Sequence, residues 1–225
     1  MAAMTKDGIY VPNVFDPFDF TGSQDSLPDP HELFTQYRRP AVGENRFIMN
    51  VSRPVGPRVP VVMQLIYTDG ACKDNGSIDA VGGIGVVISE SWRISKRLAP
   101  EISNDFRIYA TSNRAELHAV IFALECKKWY NEGLDALVIA TDSHYVADGA
   151  TLWIPSWNKK GWLKADGAPV ANRDLWMTLL ALFELYASHG CEIMFWRIPK
   201  CWNRVADQAA KEGASIIRLN AYQPF

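Results

Sequence analysis

The sequence predicts an α/β fold, a mixed sheet flanked by helices on both faces. Three observations predict it. From Val61 onward, apolar runs of strand length alternate with longer segments of helical period. The order of those segments is β-β-β-α-β-α-α-β-α, a meander followed by strand–helix alternation, which puts helices on both faces of a sheet with parallel members. Finally, 48% of the 225 residues are apolar, enough for one large core without staples.

The elements follow in order. Residues 61–69, VVMQLIYTD, combine β-formers with a mostly apolar face and read as a buried strand ending at Asp69. After the turn-rich GACKDNGSIDAVGG, the runs IGVVIS and WRISKRLA are close enough for a hairpin or meander. Residues 112–130, SNRAELHAVIFALECKKWY, suit an amphipathic helix closed by Gly133. ALVIATD is a second short apolar strand, ending at Asp142. SHYVADGATLWIPSW is helical in pattern until Pro155, and LWMTLLALFELYAS is a helix with Asn172 or Asp174 near its start. CEIMFWRIP is a strand and NRVADQAAKEGASII a final helix. Right-handed crossover then sets the strand ending at Asp142 beside, and parallel to, the strand ending at Asp69.

Residues 1–60 differ from the domain expected over 61–225. They hold eight of the 13 prolines and show no sustained period, so an irregular, extended arm is expected. Phe15, Phe18, Phe20, Phe34 and Phe47 are too apolar to leave in water. They suggest an arm docked on the domain or on a partner, weighed equally against a mobile tail. With six Lys+Arg against seven Asp+Glu, the arm does not promise nucleic-acid binding.

Charge and cysteines bound the remaining classes. A net charge of -2 means that any nucleic acid must be held by a local basic patch and not by a global field. No apolar run approaches a bilayer span, and the N-terminus has no signal-like core, so no membrane association is expected. Cys72, Cys126, Cys191 and Cys201 form no CxxC pair, which argues against a zinc site or disulfide framework. The expectation is an intracellular protein with reduced thiols, nuclear or cytoplasmic and not secreted. GGIGVVIS runs into a strand and not a helix, so it is no dinucleotide fingerprint.

The acids carry the chemistry. Neighbouring strands lie about 4.8 Å apart, so Asp69 and Asp142 at adjacent carboxyl ends fall within reach of one cation. A helix starting near Asn113 brings Glu116 to the same edge, and Asp207 enters early in the last helix. Singly, each has a plainer role: Glu116 as half of a capping box with Asn113, Asp207 at a positive helix end, Asp69 and Asp142 in turns. Together they form a set of hard oxygen donors that would repel one another unless a divalent cation such as Mg²⁺ neutralised them. Two such ions, roughly 3.5–4 Å apart, clamp the attacking and leaving oxygens of a phosphodiester displacement. A second segment, TLWIPSWNKKGWLK, interleaves Trp153, Trp157 and Trp162 with Lys159, Lys160 and Lys164 and contains no acid, a pattern suited to stacking and phosphate attraction.

From Tyr67 to Ala214 the chain resembles type 1 ribonucleases H, particularly the eukaryotic form. The segments that carry the resemblance are YTDGAC, GGIGVVI, TSNRAELHA, ATDSHYV, WIPSWNKKGW, VANRDLW and NRVADQAAKEGA. The resemblance implies a ribonuclease H-like fold with a five-stranded mixed sheet. It implies an endoribonuclease that hydrolyses the RNA strand of RNA–DNA hybrids with two Mg²⁺ ions, for which Mn²⁺ substitutes, leaving 3′-hydroxyl and 5′-phosphate ends. The carboxylates would be Asp69, Glu116, Asp142 and Asp207. Cys72, Asn75, Ser112 and Asn113 would line the RNA strand, reading its 2′-hydroxyls. Thr111, Tyr145, Trp153, Trp157, Lys159, Lys160 and Asn172 would hold the DNA strand. The partner is the hybrid, and a monomer is expected.

Two departures stand out. The family usually places a mobile histidine between the last strand and last helix, whereas RIPKCWNRVAD is short and has none. Its absence bears on proton transfer and turnover, and leaves open an inactive or weakly active hybrid-binding module. His189 precedes the strand at the wrong end of the sheet, while His118 and His144 lie beside the acid motifs. No separate hybrid-binding domain is recognisable in the first 60 residues.

Overall fold

The computed structural model describes residues 8–21, 26–38, 44–52, 60–103 and 106–216. Its strands are β1 (Asn13–Val14), β2 (Thr35–Arg38), β3 (Asn45–Ser52), β4 (Pro60–Lys73), β5 (Val81–Ser89), β6 (Trp92–Arg97), β7 (Glu101–Ser103), β8 (Phe106–Ile108), β9 (Ala136–Thr141) and β10 (Glu192–Arg197). Its helices are α1 (Pro30–Leu33), α2 (Ser112–Glu125), α3 (His144–Asp148), α4 (Ile154–Lys159), α5 (Arg173–Ser188) and α6 (Arg204–Ser215). β7 and β8 pair with each other, and the other eight strands form one sheet.

Five of those eight, β4, β5, β6, β9 and β10, are the strands that the sequence predicts. β9 lies parallel to both β4 and β10, while β5 runs antiparallel to β4 and β6. The other three correct the expectation of an irregular arm and a five-stranded sheet. β1 adds a parallel edge to β10, and β3, backed by β2, runs antiparallel to β4 from Ser52↔Pro60 to Phe47↔Leu65. The boundary expected at residue 60 therefore separates two hydrogen-bonded strands.

Side chains alternate across the sheet, as period-two geometry requires. Ile66, Leu137, Ile139, Ile193 and Phe195 face α2 and α5 in one core cluster. Leu65, Tyr67, Val138, Ala140 and Trp196 face the other way, into a second cluster with Phe15, Phe34 and Phe47 of the arm and Ala206 of α6. Both faces of β9 are thus buried, which explains why its sequence is apolar without alternation. The Phe15 ring lies 5.0 Å from that of Trp196 and 5.8 Å from that of Phe34. Arg46 of β3 is 2% exposed. It pairs with Glu44 at 2.7 Å and with Glu132 beyond α2 at 2.9 Å, and sits over the Trp129 ring.

Three further boundaries differ from expectation. β4 does not end at Asp69 but continues to Lys73, because Tyr67–Lys73 pair with Val81–Val87 of β5. α2 ends at Glu125, well before Gly133. The Trp129 indole donates to the Ala123 carbonyl and the Tyr186 hydroxyl to that of Leu124, capturing groups a longer helix would use. Pro155 does not stop the helix. A π-helical turn over Gly149–Trp153 resets the backbone, and Pro155 falls in the first turn of α4, where its missing N–H is tolerated.

The arm's aromatics complete a core, so their removal should unfold the protein and not merely release a tail. Phe15→Ala is expected to cost about 3–5 kcal/mol in urea denaturation. A change under about 0.5 kcal/mol, the usual effect of a surface substitution, would show that the arm's contacts are dispensable.

Candidate active site

The parallel ladder between β4 and β9 ends at Tyr67↔Ala140, and Asp69 and Asp142 each stand two residues beyond it. Equal offsets on adjacent parallel strands bring the two carboxylates to one level. Glu116 arrives from α2, whose N-cap is Thr111, accepting from the Arg114 amide at 3.2 Å. The cap is therefore not Asn113, and Glu116 has no capping duty. Gly70 makes its approach possible. A Cβ at that position would stand 2.1 Å from the Glu116 amide nitrogen, so only glycine lets the strand lie on the helix backbone. Asp207, in the first turn of α6, completes the set.

Burial and repulsion dominate the electrostatics. Asp69 is 4% exposed. Its pKa is pushed up to about 7, first by burial and then by the charges of Asp142 and Asp207. Glu116 is pushed higher still by burial, Asp69 and Asp142. The two carboxyls lie within hydrogen-bonding reach of each other, and the Gly70 amide donates to both, which offsets part of the rise. The other carboxyl oxygen of Glu116, Oε2, is buried without a partner. Asp142 accepts from the Asn203 side-chain amide at 2.6 Å, and the same amide donates to the Thr68 carbonyl at 3.0 Å. Asp207 pairs with Lys211 at 2.6 Å.

The loop after β10 carries a cation where a histidine is usual. Lys200, on a single 3₁₀ turn over Lys200–Trp202, places Nζ 3.7 Å from Asp142 and 3.6 Å from Asp207. Its pKa is raised, chiefly by Asp142. His189 caps the far end of α5, before β10 begins. His144 lies one residue past Ser143, the N-cap of α3, and Arg197 donates to its Nδ1 at 2.9 Å.

The chemistry of this donor set fits a hard divalent cation: four carboxylates, one with an orphaned buried oxygen, and an ammonium already drawn among them. Yet among the described residues no three His, Cys, Asp or Glu side chains are gathered tightly enough to hold a metal ion as they stand. Each acid is engaged by a neighbour: Asp142 by Asn203, Asp207 by Lys211, and Asp69 and Glu116 by each other.

The remaining predicted positions fall into two groups. On the RNA side, Cys72 and Ser112 are half-buried, while Asn75 and Asn113 are exposed. Among the positions expected to hold the DNA strand, Arg114 organises Asn172 and, through it, Tyr145. Buried at the start of α2, it forms a bidentate pair with Asp174 at 2.6 and 3.0 Å and donates to Asn172 at 3.3 Å. Asn172 in turn donates to the Tyr145 hydroxyl at 3.1 Å. That hydroxyl also accepts from Trp176 and donates to the Ala171 carbonyl, and the Tyr145 ring packs edge-on against Trp153 and Trp176. Trp153 is 36% exposed at the rim of an aromatic cluster, whereas Trp157 is half-buried against Trp162 and Trp176. Lys159 and Lys160 are exposed at the end of α4.

Sequence reasoning missed Arg114, Asn203 and the bridging position of Lys200. All three lie inside motifs that were read, but their partners are distant in the chain. A basic residue in the first turn of a helix, where charge opposes the dipole, was the available signal for Arg114.

An acid-centred nuclease on a mixed α/β sheet is the class that this fold and site define. Residues 63–215 match the family model for RNase H. The ribonuclease H of Mannheimia succiniciproducens is 37% identical over 166 residues, covering 71% of this chain and 93% of the relative. That of Zymomonas mobilis is 42% identical over 118 residues, covering 52% and 67%. Among solved structures, a foamy viral protease-reverse transcriptase in complex with an RNA/DNA hybrid superposes with a TM-score of 0.53 at 23% identity, over 68% of this chain and 20% of that one. That likeness concerns the fold. The chain belongs to the ribonuclease H family. It is accordingly an endoribonuclease acting on the RNA strand of RNA–DNA hybrids, in a family that depends on divalent metal.

Linkage gives a test of the acid pair. Asp69 and Glu116 bind protons more tightly in the native than in the unfolded chain, so metal-free stability should fall as pH rises from the ordinary carboxylate range, about pH 4, through neutrality. Glu44 and Asp174, whose pKa values are lowered by Arg46 and Arg114, act oppositely and only at more acid pH. Urea denaturation in EDTA between about pH 5 and pH 8 should show this decline, and Asp69→Asn should flatten it. A stability that rises over that interval would mean that the acids do not repel.

Proposed function

We propose that Asp69, Glu116, Asp142 and Asp207 hold two Mg²⁺ ions, for which Mn²⁺ can substitute, and that hydrolysis leaves 3′-hydroxyl and 5′-phosphate ends. The mutual repulsion of these acids at one sheet edge, with Glu116 Oε2 buried and unpartnered, is the observation that carries the reading. Bound there, the ions would activate water and neutralise charge at the scissile phosphate. The chain's own residues set the rest. Asn203 fixes the Asp142 carboxylate and anchors the turn before α6, and its carbonyl accepts from the Asp207 amide at 2.9 Å. Cys72, Asn75, Ser112 and Asn113 border the acids on the RNA side and read 2′-hydroxyls across the minor groove. Thr111, Asn172 and the Tyr145 ring receive the DNA strand. Trp153 and Trp157 stack on it, while Lys159 and Lys160 attract its phosphates. With no histidine on the 3₁₀ turn, leaving-group protonation falls to solvent. General acid–base assistance is worth about 10²–10⁴-fold, so turnover is slow but not abolished.

A labelled RNA–DNA hybrid, an RNA duplex and a DNA duplex incubated with and without Mg²⁺ test this directly. Only the RNA of the hybrid should be cut, and only with metal. Asp69→Asn should abolish cleavage while sparing hybrid binding. Cleavage of all three substrates, or full activity of Asp69→Asn, would defeat the reading. An inert wild type that still binds the hybrid would favour the binding-module alternative.

The aromatic rim generates a separate expectation. Trp153→Ala should weaken hybrid affinity by about 1–3 kcal/mol with little change in fold stability. Trp157→Ala, removing a half-buried ring, should do both. Unaltered affinity in both variants would return these rings to the core.

A further inference from the structure

We infer that Lys200 is a tethered cation that holds the metal-free acid site together and must withdraw before a divalent ion binds, so that it sets the site's metal affinity. The inference rests on the reading of Asp69, Glu116, Asp142 and Asp207 as the metal-holding group.

The geometry separates Lys200 from an ordinary surface lysine. Its ammonium bridges two acids carried by different elements, Asp142 beyond β9 and Asp207 in α6. Lys211, by contrast, meets Asp207 from one turn along the same helix, the common i,i+4 arrangement. The backbone beneath Lys200 is fixed. The Trp202 amide donates to the Pro199 carbonyl at 2.9 Å, and the Asn203 amide to that of Lys200 at 3.1 Å. The Asn203 side chain then ties the turn to Thr68 and Asp142. The Lys200 side chain, however, is 72% exposed. Its alkyl chain can therefore swing into solvent while its Cα stays in place.

Charge supplies the mechanism. Four acids in one place repel, and the ammonium between Asp142 and Asp207 relieves part of that repulsion. A divalent ion needs the same oxygen lone pairs of Asp142 and Asp207, and it repels the ammonium. Metal and Lys200 Nζ thus exclude each other.

The experiment compares full-length wild type, Lys200→Ala and Lys200→Arg without substrate. Mg²⁺ binding is followed by calorimetry, and melting temperature is measured in EDTA and in saturating Mg²⁺. Lys200→Ala should bind Mg²⁺ about fivefold more tightly, in keeping with removal of solvent-screened ion pairs, and Lys200→Arg should stay near wild type. Lys200→Ala should melt below wild type in EDTA and converge with it in Mg²⁺. Equal Mg²⁺ affinity for wild type and Lys200→Ala would overturn the inference while leaving the metal site intact. A melting temperature lowered equally in both conditions would also overturn it, by making Lys200 merely structural. Failure of wild type to bind Mg²⁺ would instead strike at the underlying assignment of the acids.

Discussion

Like-charge repulsion among four carboxylates is the constraint around which this molecule is arranged. Asp69 is nearly inaccessible to water, and Glu116 carries a buried oxygen without a partner. Such groups stay together only if the backbone gives them no alternative. The backbone here is correspondingly stiff. Asp69 lies within a 14-residue strand, paired there with Gly85 of β5, and not in a loop. Glu116 is held because Gly70 lets α2 rest directly on that strand. Gly83 and Gly85 of β5 do the same for α6, where an added Cβ would stand 2.0 and 2.1 Å from helix backbone. Three close strand–helix approaches thus fix the angles from which the acids enter. What remains adjustable is the counter-charge: a proton, an ammonium or a metal.

The arm bears on the same site from behind. Phe15 and Phe34 pack against Trp196, which lies in the second core cluster together with Ile198. The chain then passes through Pro199 to Lys200. The strand that delivers the bridging lysine is therefore backed by aromatics from a segment outside the matched region, residues 63–215. Arg46 and Lys127, both paired with Glu44 and with Glu132, pin β3 to the segment that follows α2. Since a buried charge stripped of its partner is strongly destabilising, this network makes arm and body interdependent. It also protects the sheet, because β1 covers an edge of β10 that would otherwise be free to pair with another chain.

Much of this was legible in the residues. The five strands of the body declare themselves because β9 and β10 are apolar runs bounded by turns, and Asp69 and Asp142 stand out as acids following such runs. Their convergence followed from crossover handedness alone. The arm was not legible. Prolines break its periodicity, and β1, β2 and β3 owe their existence to partners far away in sequence, a dependence that local propensity does not record. Asn13 pairs with Met194, a register nothing near Asn13 announces. The same limit hid the end of α2, fixed by Trp129 and Tyr186, and the role of Arg114, fixed by Asp174. Pro155 misled for a different reason: proline marks a break in α-helical hydrogen bonding, and a π turn supplies one without ending the helical path.

The short turn after β10 brings the Lys200 ammonium to Asp142 and Asp207. A longer loop can hold a histidine that swings in to exchange protons and out to release product. This 3₁₀ turn is tied down by Asn203, which donates to Thr68 of β4 and to Asp142 just past β9. Nor does His144 inherit the role simply. Arg197 can only donate, so the 2.9 Å contact leaves His144 Nδ1 as an acceptor and any proton on Nε2. What the turn presents to Asp142 and Asp207 instead is the Lys200 ammonium on its flexible side chain. On the inference drawn for Lys200, the group nearest the carboxylates contends for the same oxygens of Asp142 and Asp207 that a divalent ion would need.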